Sequence, residues 1–190
     1  MLTIIDYKAG NLTSVKLAFA ALGVETRVTS DPAVVRAAER LVFPGVGAAA
    51  SAMANLRAAG LDDALKDAAA AGTPFLGICL GMQILFDRTE EDGGTDTLGL
   101  LPGQVRRFPS VPGCKIPHIG WNQVNGTEEY YFVHSYYVEM NPSAVGVTEY
   151  AGVRFASLVR KGSILAAQFH PEKSGRVGLK FLSDFLAWRP

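Results

Sequence analysis

Cys79 lies in the segment Gly77-Ile78-Cys79-Leu80-Gly81, and 91 residues later His170-Pro171-Glu172 sets a histidine two positions before a carboxylate. A thiol, a base and a group that orients the base are the parts of nucleophilic acyl transfer. The thiolate is the attacking species, so a cysteine does this work only where something removes its proton. His170 can take that proton on Nε2 while Glu172 accepts the proton on Nδ1 and fixes the ring. Pro171 stiffens the connection. In an extended segment alternate residues point to the same side, so positions 170 and 172 are expected to face together. His118 and His134 are rival bases, but neither has a carboxylate at this spacing, and a polar or packing role is expected for His118. Three scattered histidines give no support for a metal site.

A thiol is presented this way when the chain turns sharply from strand to helix, and residues without bulk are needed where backbone segments then meet. Residues 74–78 read as the strand and a helical stretch follows, whose N-terminus would favour a thiolate. Upstream, residues 2–5, 24–28 and 41–43 read as three more strands. A helix starts from Asn11 as N-cap and carries Leu12, Val15, Phe19 and Leu22 on one face, and alanine-rich helical stretches separate the third and fourth strands. This alternation predicts an α/β fold with a doubly wound, mostly parallel open sheet. In such sheets ligands sit beyond the carboxyl ends of the strands, which gathers the loops 7–11 and 44–47 with Cys79.

From Gln104 onward the short β-rich segments 119–124, 130–140, 145–150, 153–159 and 164–169 follow one another without helices, which predicts antiparallel or mixed pairing. A helix after Ser174, with Val177, Phe181 and Phe185 on one face and Gly178, Leu182 and Leu186 beside them, is expected to pack back on the sheet. Residues 89–97 read as a surface loop whose acids do not fit a calcium site.

The 190 residues, 48% of them apolar, suit one domain over 1–190. Eighteen basic and eighteen acidic residues balance, with no block of like charge, which argues against nucleic acid and anionic membrane as partners. The N-terminus has no basic leader and no apolar run reaches about 18 residues, so a cytoplasmic chain is expected. Cys79 and Cys114 form no close pair, so a disulfide framework has little support.

Pro44-Gly45-Val46-Gly47 follows the third strand and, with Ala50, meets a loose G-x-G-x-x-A pattern. A dinucleotide loop belongs after the first strand, however, and Asp62 and Asp63 lie in a helical stretch instead of at a strand end. The alternative is an oxyanion hole in which the backbone N–H groups of Val46 and Gly47 join that of Leu80. One such donor is typically worth about 3 kcal/mol of transition-state stabilisation.

The elbow, the Pro-Gly-Val-Gly loop and the late His-Pro-Glu together resemble the triad-type, class I glutamine amidotransferases. Asp6-Tyr7 with Gly10-Asn11-Leu12, Pro117-His118-Ile119-Gly120-Trp121-Asn122, Phe132-Val133-His134-Ser135-Tyr136 and Lys173-Ser174 extend the resemblance from end to end to members of that family that serve histidine biosynthesis. It implies a flavodoxin-like sheet with an antiparallel C-terminal part. It also implies that Cys79 attacks the side-chain amide of glutamine, that His170 hands its proton to the leaving ammonia, and that Glu172 orients the histidine. Gln83, one helical turn past the nucleophile, and His134, Ser135 and Tyr136 are implied to bind the substrate.

No cofactor or metal is implied, and the chain has no G-x-x-x-x-G-K-[ST] loop for a phosphorylated acceptor. The implied partner is a cyclase built as a (β/α)₈ barrel, which takes the ammonia through an internal channel and forms imidazole glycerol phosphate and an aminoimidazole carboxamide ribonucleotide, making the active enzyme a heterodimer. Lys8, Asn11, Trp121, Asn122 and Lys173 are the candidate contacts with it. Lys8 departs from the family, which often has glycine there. The peptide between Gly45 and Val46 is expected to turn its N–H toward the site only when the cyclase is docked.

Three other readings make different predictions. A triad glutaminase of another synthase, such as that of the pyridoxal phosphate pathway, would not need the Gly-Trp-Asn and Lys173 surroundings. A cysteine hydrolase of the α/β type would cleave an ester and leave glutamine intact. A binding module of the same fold would be indifferent to Cys79→Ala.

Overall fold

The computed structural model describes residues 1–8 and 12–190. Its first part alternates strand and helix: β1 (Leu2–Ile5), α1 (Leu12–Ala21), β2 (Thr26–Thr29), α2 (Pro32–Arg36), β3 (Arg40–Gly45), α3 (Ala49–Ala58), α4 (Leu61–Ala70), β4 (Phe75–Cys79) and the single turn α5 (Leu80–Gln83). Then come β5 (Arg88–Thr89), β6 (Thr95–Asp96), β7 (Gln104–Arg107), β8 (His118–Val124), β9 (Glu128–His134), β10 (Tyr136–Val138), β11 (Ala144–Tyr150), β12 (Val153–Lys161), β13 (Ile164–Ala167) and α6 (Gly175–Ala187).

Among the described residues eleven strands form one sheet, in the order β2-β1-β3-β4-β13-β12-β10-β7-β5-β6 with β11 also on β12. β1 to β4 are parallel, as their alternation with helices requires. β13 is the late strand that joins them: it runs parallel to β4, with Ile164 opposite Phe75 and Ala167 opposite Ile78, and antiparallel to β12. The strand carrying Cys79 is thus flanked by β3 and β13, so the loop after Gly45 and the turn after Ala167 both open beside it.

Both faces of this region are covered, and the strand residues alternate between them. Phe43 and Phe75 meet Met53, Leu56 and Leu65 of α3 and α4 on one side. Val42, Leu76 and Ile78 meet Val15 and Phe19 of α1 and Leu182 and Phe185 of α6 on the other. β8 and β9 form a separate antiparallel hairpin. Its inner face rests on Phe108, Phe155 and Phe169.

Several boundaries differ from the sequence reading. The expected N-cap Asn11 lies outside the described residues. β2 starts two residues late because Val24 N–H closes the end of α1 onto the Phe19 carbonyl (3.0 Å) after Gly23 at φ +74°. The run 130–140 divides at Ser135, where the chain leaves the hairpin and joins β7 and β12. Residues 89–97 carry β6, the end of β5 and a 3₁₀ turn at Glu91–Gly93 instead of a plain loop. α2 is an additional helix, capped by Asp31, which accepts from Ala33 N (2.8 Å), and opened by Pro32.

Candidate active site

Cys79 ends β4 at φ +55°, ψ −111°, a conformation that L-residues rarely adopt and that turns the side chain out of the sheet edge into a cleft. The elbow is held by close backbone packing. A Cβ on Gly81 would collide with the Phe43 carbonyl, one on Gly77 would stand 2.8 Å from the Gly81 carbonyl oxygen, and one on Gly45 would stand 2.7 Å from Leu80 Cβ. The glycines on both sides of the thiol, and the one at the end of β3, are therefore steric requirements of the same turn.

The base is held by polar contacts. His170 Nδ1 and Glu172 Oε1 are 2.7 Å apart, with the two side chains only 2% and 3% exposed. They meet because Pro171–Lys173 is a 3₁₀ turn. The expected approach through extended alternation is corrected: β13 stops at Ala167, and a turn, not a strand, brings the carboxylate back. Ser174 locks the turn, donating to the His170 carbonyl (2.7 Å) and accepting from Tyr131 N (2.9 Å), while His170 N donates to the Tyr131 carbonyl (2.9 Å). Among the described residues His170 Nε2 has no hydrogen-bond partner although it is buried. Burial, the strongest influence on this ring, disfavours the imidazolium. Charge on Cys79 and the Glu172 carboxylate outweigh it and raise the proton affinity of His170 to about 10.

Cys79 and His170 share a cleft of about 370 Å³ with Val46, Gly47, Leu80, Gln83, His134, Ser135, Tyr136, Lys173 and Glu91. The residues expected for the oxyanion hole and for substrate binding are thus brought together around the thiol. Gln83 uses both hydrogens of its amide nitrogen internally, on the Tyr136 carbonyl (2.8 Å) and on Gln168 Oε1 (2.9 Å). Its own Oε1 is then the group left for a ligand, an acceptor suited to an ammonium.

The sequence reading missed two residues here. Glu91, from the segment read as a surface loop, lines the cleft and accepts from Ala49 N at the start of α3 (2.6 Å). Burial, chiefly, raises its proton affinity, the bond from Ala49 opposes that, and the charge of Asp92 adds to the rise. Gln168 is fully buried, with Nε2 3.7 Å from Cys79 Sγ. Gln168 stands two residues before the base, a position that local pattern could flag but not explain.

His118 has the polar and packing role expected of it, and His134, which lines the cleft, shares its hydrogen-bond network. The His134 ring pairs through Nδ1 with the Tyr136 carbonyl (2.7 Å), an acceptor, so its Nε2 is free to accept from His118 Nδ1 (3.0 Å), whose Nε2 faces the Asn122 amide (3.3 Å). Burial is the main reason both stay neutral, with proton affinities lowered to about 4 for His118 and about 3 for His134. The rings pack among Phe108, Phe132, Tyr150 and Phe155.

The candidate partner contacts divide. Trp121, 55% exposed, stands edge-on to Tyr131, and the Lys173 ammonium lies 6.0 Å from the same ring while also lining the cleft. With Ile119 they form an exposed, partly apolar face of the β8–β9 hairpin next to the site. Asn122 turns its amide inward, to His118 and the Glu149 carbonyl (3.0 Å). Lys8 is exposed at φ +63°, with its N–H on Asp6 Oδ1 (2.9 Å), the backbone shape for which glycine is suited. Asn11 lies outside the described residues. No helix among the described residues is long and apolar enough to cross a membrane.

Residues 3–188 match the family model for glutamine amidotransferase class-I. The chain is 48% identical to imidazole glycerol phosphate synthase subunit HisH of Desulfovibrio desulfuricans, over 97% of this chain and 93% of that protein. It is 47% identical to the protein of that name from Methanothermobacter thermautotrophicus, over 98% of each. Among solved structures, a crystal structure of a glutamine amidotransferase superposes with a TM-score of 0.77 at 20% identity, covering 97% of both chains. PurLQS from Thermotoga maritima superposes at 0.68 and 18%, covering 98% of this chain and 97% of that one. These two likenesses concern the fold.

Proposed function

The chain belongs to the class I glutamine amidotransferases, in the branch of the HisH subunits of imidazole glycerol phosphate synthase, and from that membership we propose that it hydrolyses glutamine to glutamate and ammonia and passes the ammonia to a cyclase in histidine biosynthesis. The observation that carries this reading is the buried His170 ring, fixed through Nδ1 by Glu172 with Nε2 unpartnered, in one cleft with the Cys79 thiol.

His170 takes the thiol proton, and Cys79 Sγ attacks the amide carbon of glutamine. The oxygen of the tetrahedral intermediate is held by the backbone N–H groups of Val46, Gly47 and Leu80. His170 returns its proton to the departing nitrogen, ammonia leaves, and a glutamyl thioester stays on Cys79. His170 then draws a proton from water, which attacks the thioester, releasing glutamate and restoring the thiol. Glu172 keeps the imidazole in the working tautomer and balances its charge during both transfers. Gln83 Oε1 and the Glu91 carboxylate receive the ammonium of the substrate, and Ser135 and Tyr136 form the opposite wall.

The acceptor is a separate cyclase of (β/α)₈ form, docked in the cytoplasm against the face that carries Trp121 and Lys173, with Lys8 as a further candidate contact. Glutaminase activity is expected to depend on that docking through the Val46 peptide. The test is glutamate release from glutamine by wild type and Cys79→Ala, alone and with the cyclase and its substrate. Wild type with the cyclase should be fastest, and Cys79→Ala should lose at least about 10³-fold of its rate. No release by wild type under any of these conditions would overturn the reading, and equal rates with and without the cyclase would remove the dependence on docking.

A further inference from the structure

Between the nucleophile and the wall that receives the head group lies one buried side chain to which the hydrolysis assigns no task. Gln168 follows β13, is wholly enclosed and touches both. Its neighbours dictate which way its amide points. The Tyr136 carbonyl can only accept, and it receives the ring N–H of His134 (2.7 Å) and one N–H of Gln83 (2.8 Å), which fixes the nitrogen end of Gln83. The second N–H of Gln83 needs an acceptor, and Gln168 supplies Oε1 at 2.9 Å. Gln168 must then turn its NH₂ toward Cys79, where Nε2 stands 3.7 Å from Sγ. Flipping its amide would set NH₂ against NH₂ and aim a carbonyl at the sulfur.

The sulfur thus sits between groups of opposite character. The Val133 carbonyl, 3.9 Å away, is an acceptor that serves the sulfur only while it carries a proton. The Gln168 amide offers an N–H, which favours the sulfur once it is charged. Donors to a charged acceptor are about twice as strong as neutral ones, and this donor lies in a buried place where little else competes. The titratable groups around the sulfur are His170, with Glu172 behind it, the buried Tyr7 phenol from the loop after β1, and Glu91 and Lys173, which line the same cleft. His134, from β9, faces His170.

We propose that Gln168 is a catalytic residue: its N–H stabilises the Cys79 thiolate during attack, while its carbonyl holds Gln83 with Oε1 toward the cleft for the ammonium of the substrate. This rests on the reading that Cys79 attacks glutamine, and it gives one amide two separable duties. Gln168→Met keeps the length and removes both. Gln168→Glu keeps an acceptor for Gln83 but sets a carboxyl group beside the sulfur.

The decisive measurement is the pH profile of Cys79 alkylation by iodoacetamide in the full chain, in a Cys114→Ser background so that one thiol reports. Both variants should shift the profile to higher pH, by about one unit for a lost donor worth tenfold in thiolate. With the cyclase complex and glutamine, Gln168→Met should lose about tenfold or more in kcat and raise KM, whereas Gln168→Glu should lose kcat with KM near wild type. An unchanged alkylation profile in a folded variant overturns the proposal. If the methionine variant does not fold, the glutamate variant decides by the same profile. Because alkylation needs no glutamine, a shifted profile in a protein that releases no glutamate would refute the glutamine reading and leave the role of Gln168 at the sulfur intact.

Discussion

The two ends of the triad are built by opposite means. Around Cys79 the chain removes side chains, so that Gly45, Gly77 and Gly81 let three stretches of backbone touch and the thiol stands at a conformation few residues tolerate. Around His170 it adds polar bonds, with Glu172 on the ring and Ser174 bridging the turn to Tyr131. The first end is a problem of backbone shape. The second is a problem of charge, and it can be altered in rate without being altered in form.

The sharpest way to break this contrast is Glu172→Gln, which preserves size at the polar end. It should reduce kcat for glutamine by roughly 10²–10⁴-fold while the urea midpoint shifts little by comparison, because the tautomer and the counter-charge are lost and the packing is not. A variant that unfolds instead would place the carboxylate with the structural groups. At the other end, Gly81→Ala adds one methyl against the Phe43 carbonyl. It should destabilise the protein by about 3 kcal/mol, read as a lowered urea midpoint, and activity should fall with the folded fraction. A stable but inactive Gly81→Ala protein would mean that the elbow tolerates displacement and that its glycines serve the chemistry alone.

The smallest effect sharpens the polar side. His118 and His134 are kept neutral chiefly by burial, with proton affinities near 4 and 3 against an ordinary 6.5. An unfolded chain protonates them near 6.5, so the stability they contribute is present above that pH and is lost as pH falls toward 4 and then 3. His170 runs the other way: raised to about 10, its contribution is present below 6.5 and lost as pH rises through about 10. Urea midpoints measured across pH should therefore fall on both flanks. Cys79→Ala, which removes the charge that helps raise His170, should flatten only the alkaline flank.

The elbow was legible because its requirements are local: a strand, two glycines around a cysteine, and a helix start. The doubly wound part was legible for the same reason, since each strand and helix carries its own period. The pairing of His170 with Glu172 could be read from spacing, but not the 3₁₀ turn that achieves it, because alternation is a rule for strands and β13 had already ended. Glu91 and Gln168 were hidden for a different reason. Their surroundings are 42 and 85 residues distant in the chain, at Ala49 and Gln83, and no local period marks such contacts. The inward turn of Asn122 belongs with these, for it depends on Glu149 across the inner face of the hairpin.

The insertion of β13 beside β4 has a consequence in time. The nucleophile strand leaves the ribosome long before the strand that will lie against it, and until then β4 is an open sheet edge carrying an ordinary cysteine. The base and its carboxylate follow β13 directly, so the event that closes the edge also brings them to the sulfur. A half-made chain cannot run glutamine hydrolysis prematurely: the same docking step closes the open edge and assembles the reactive site.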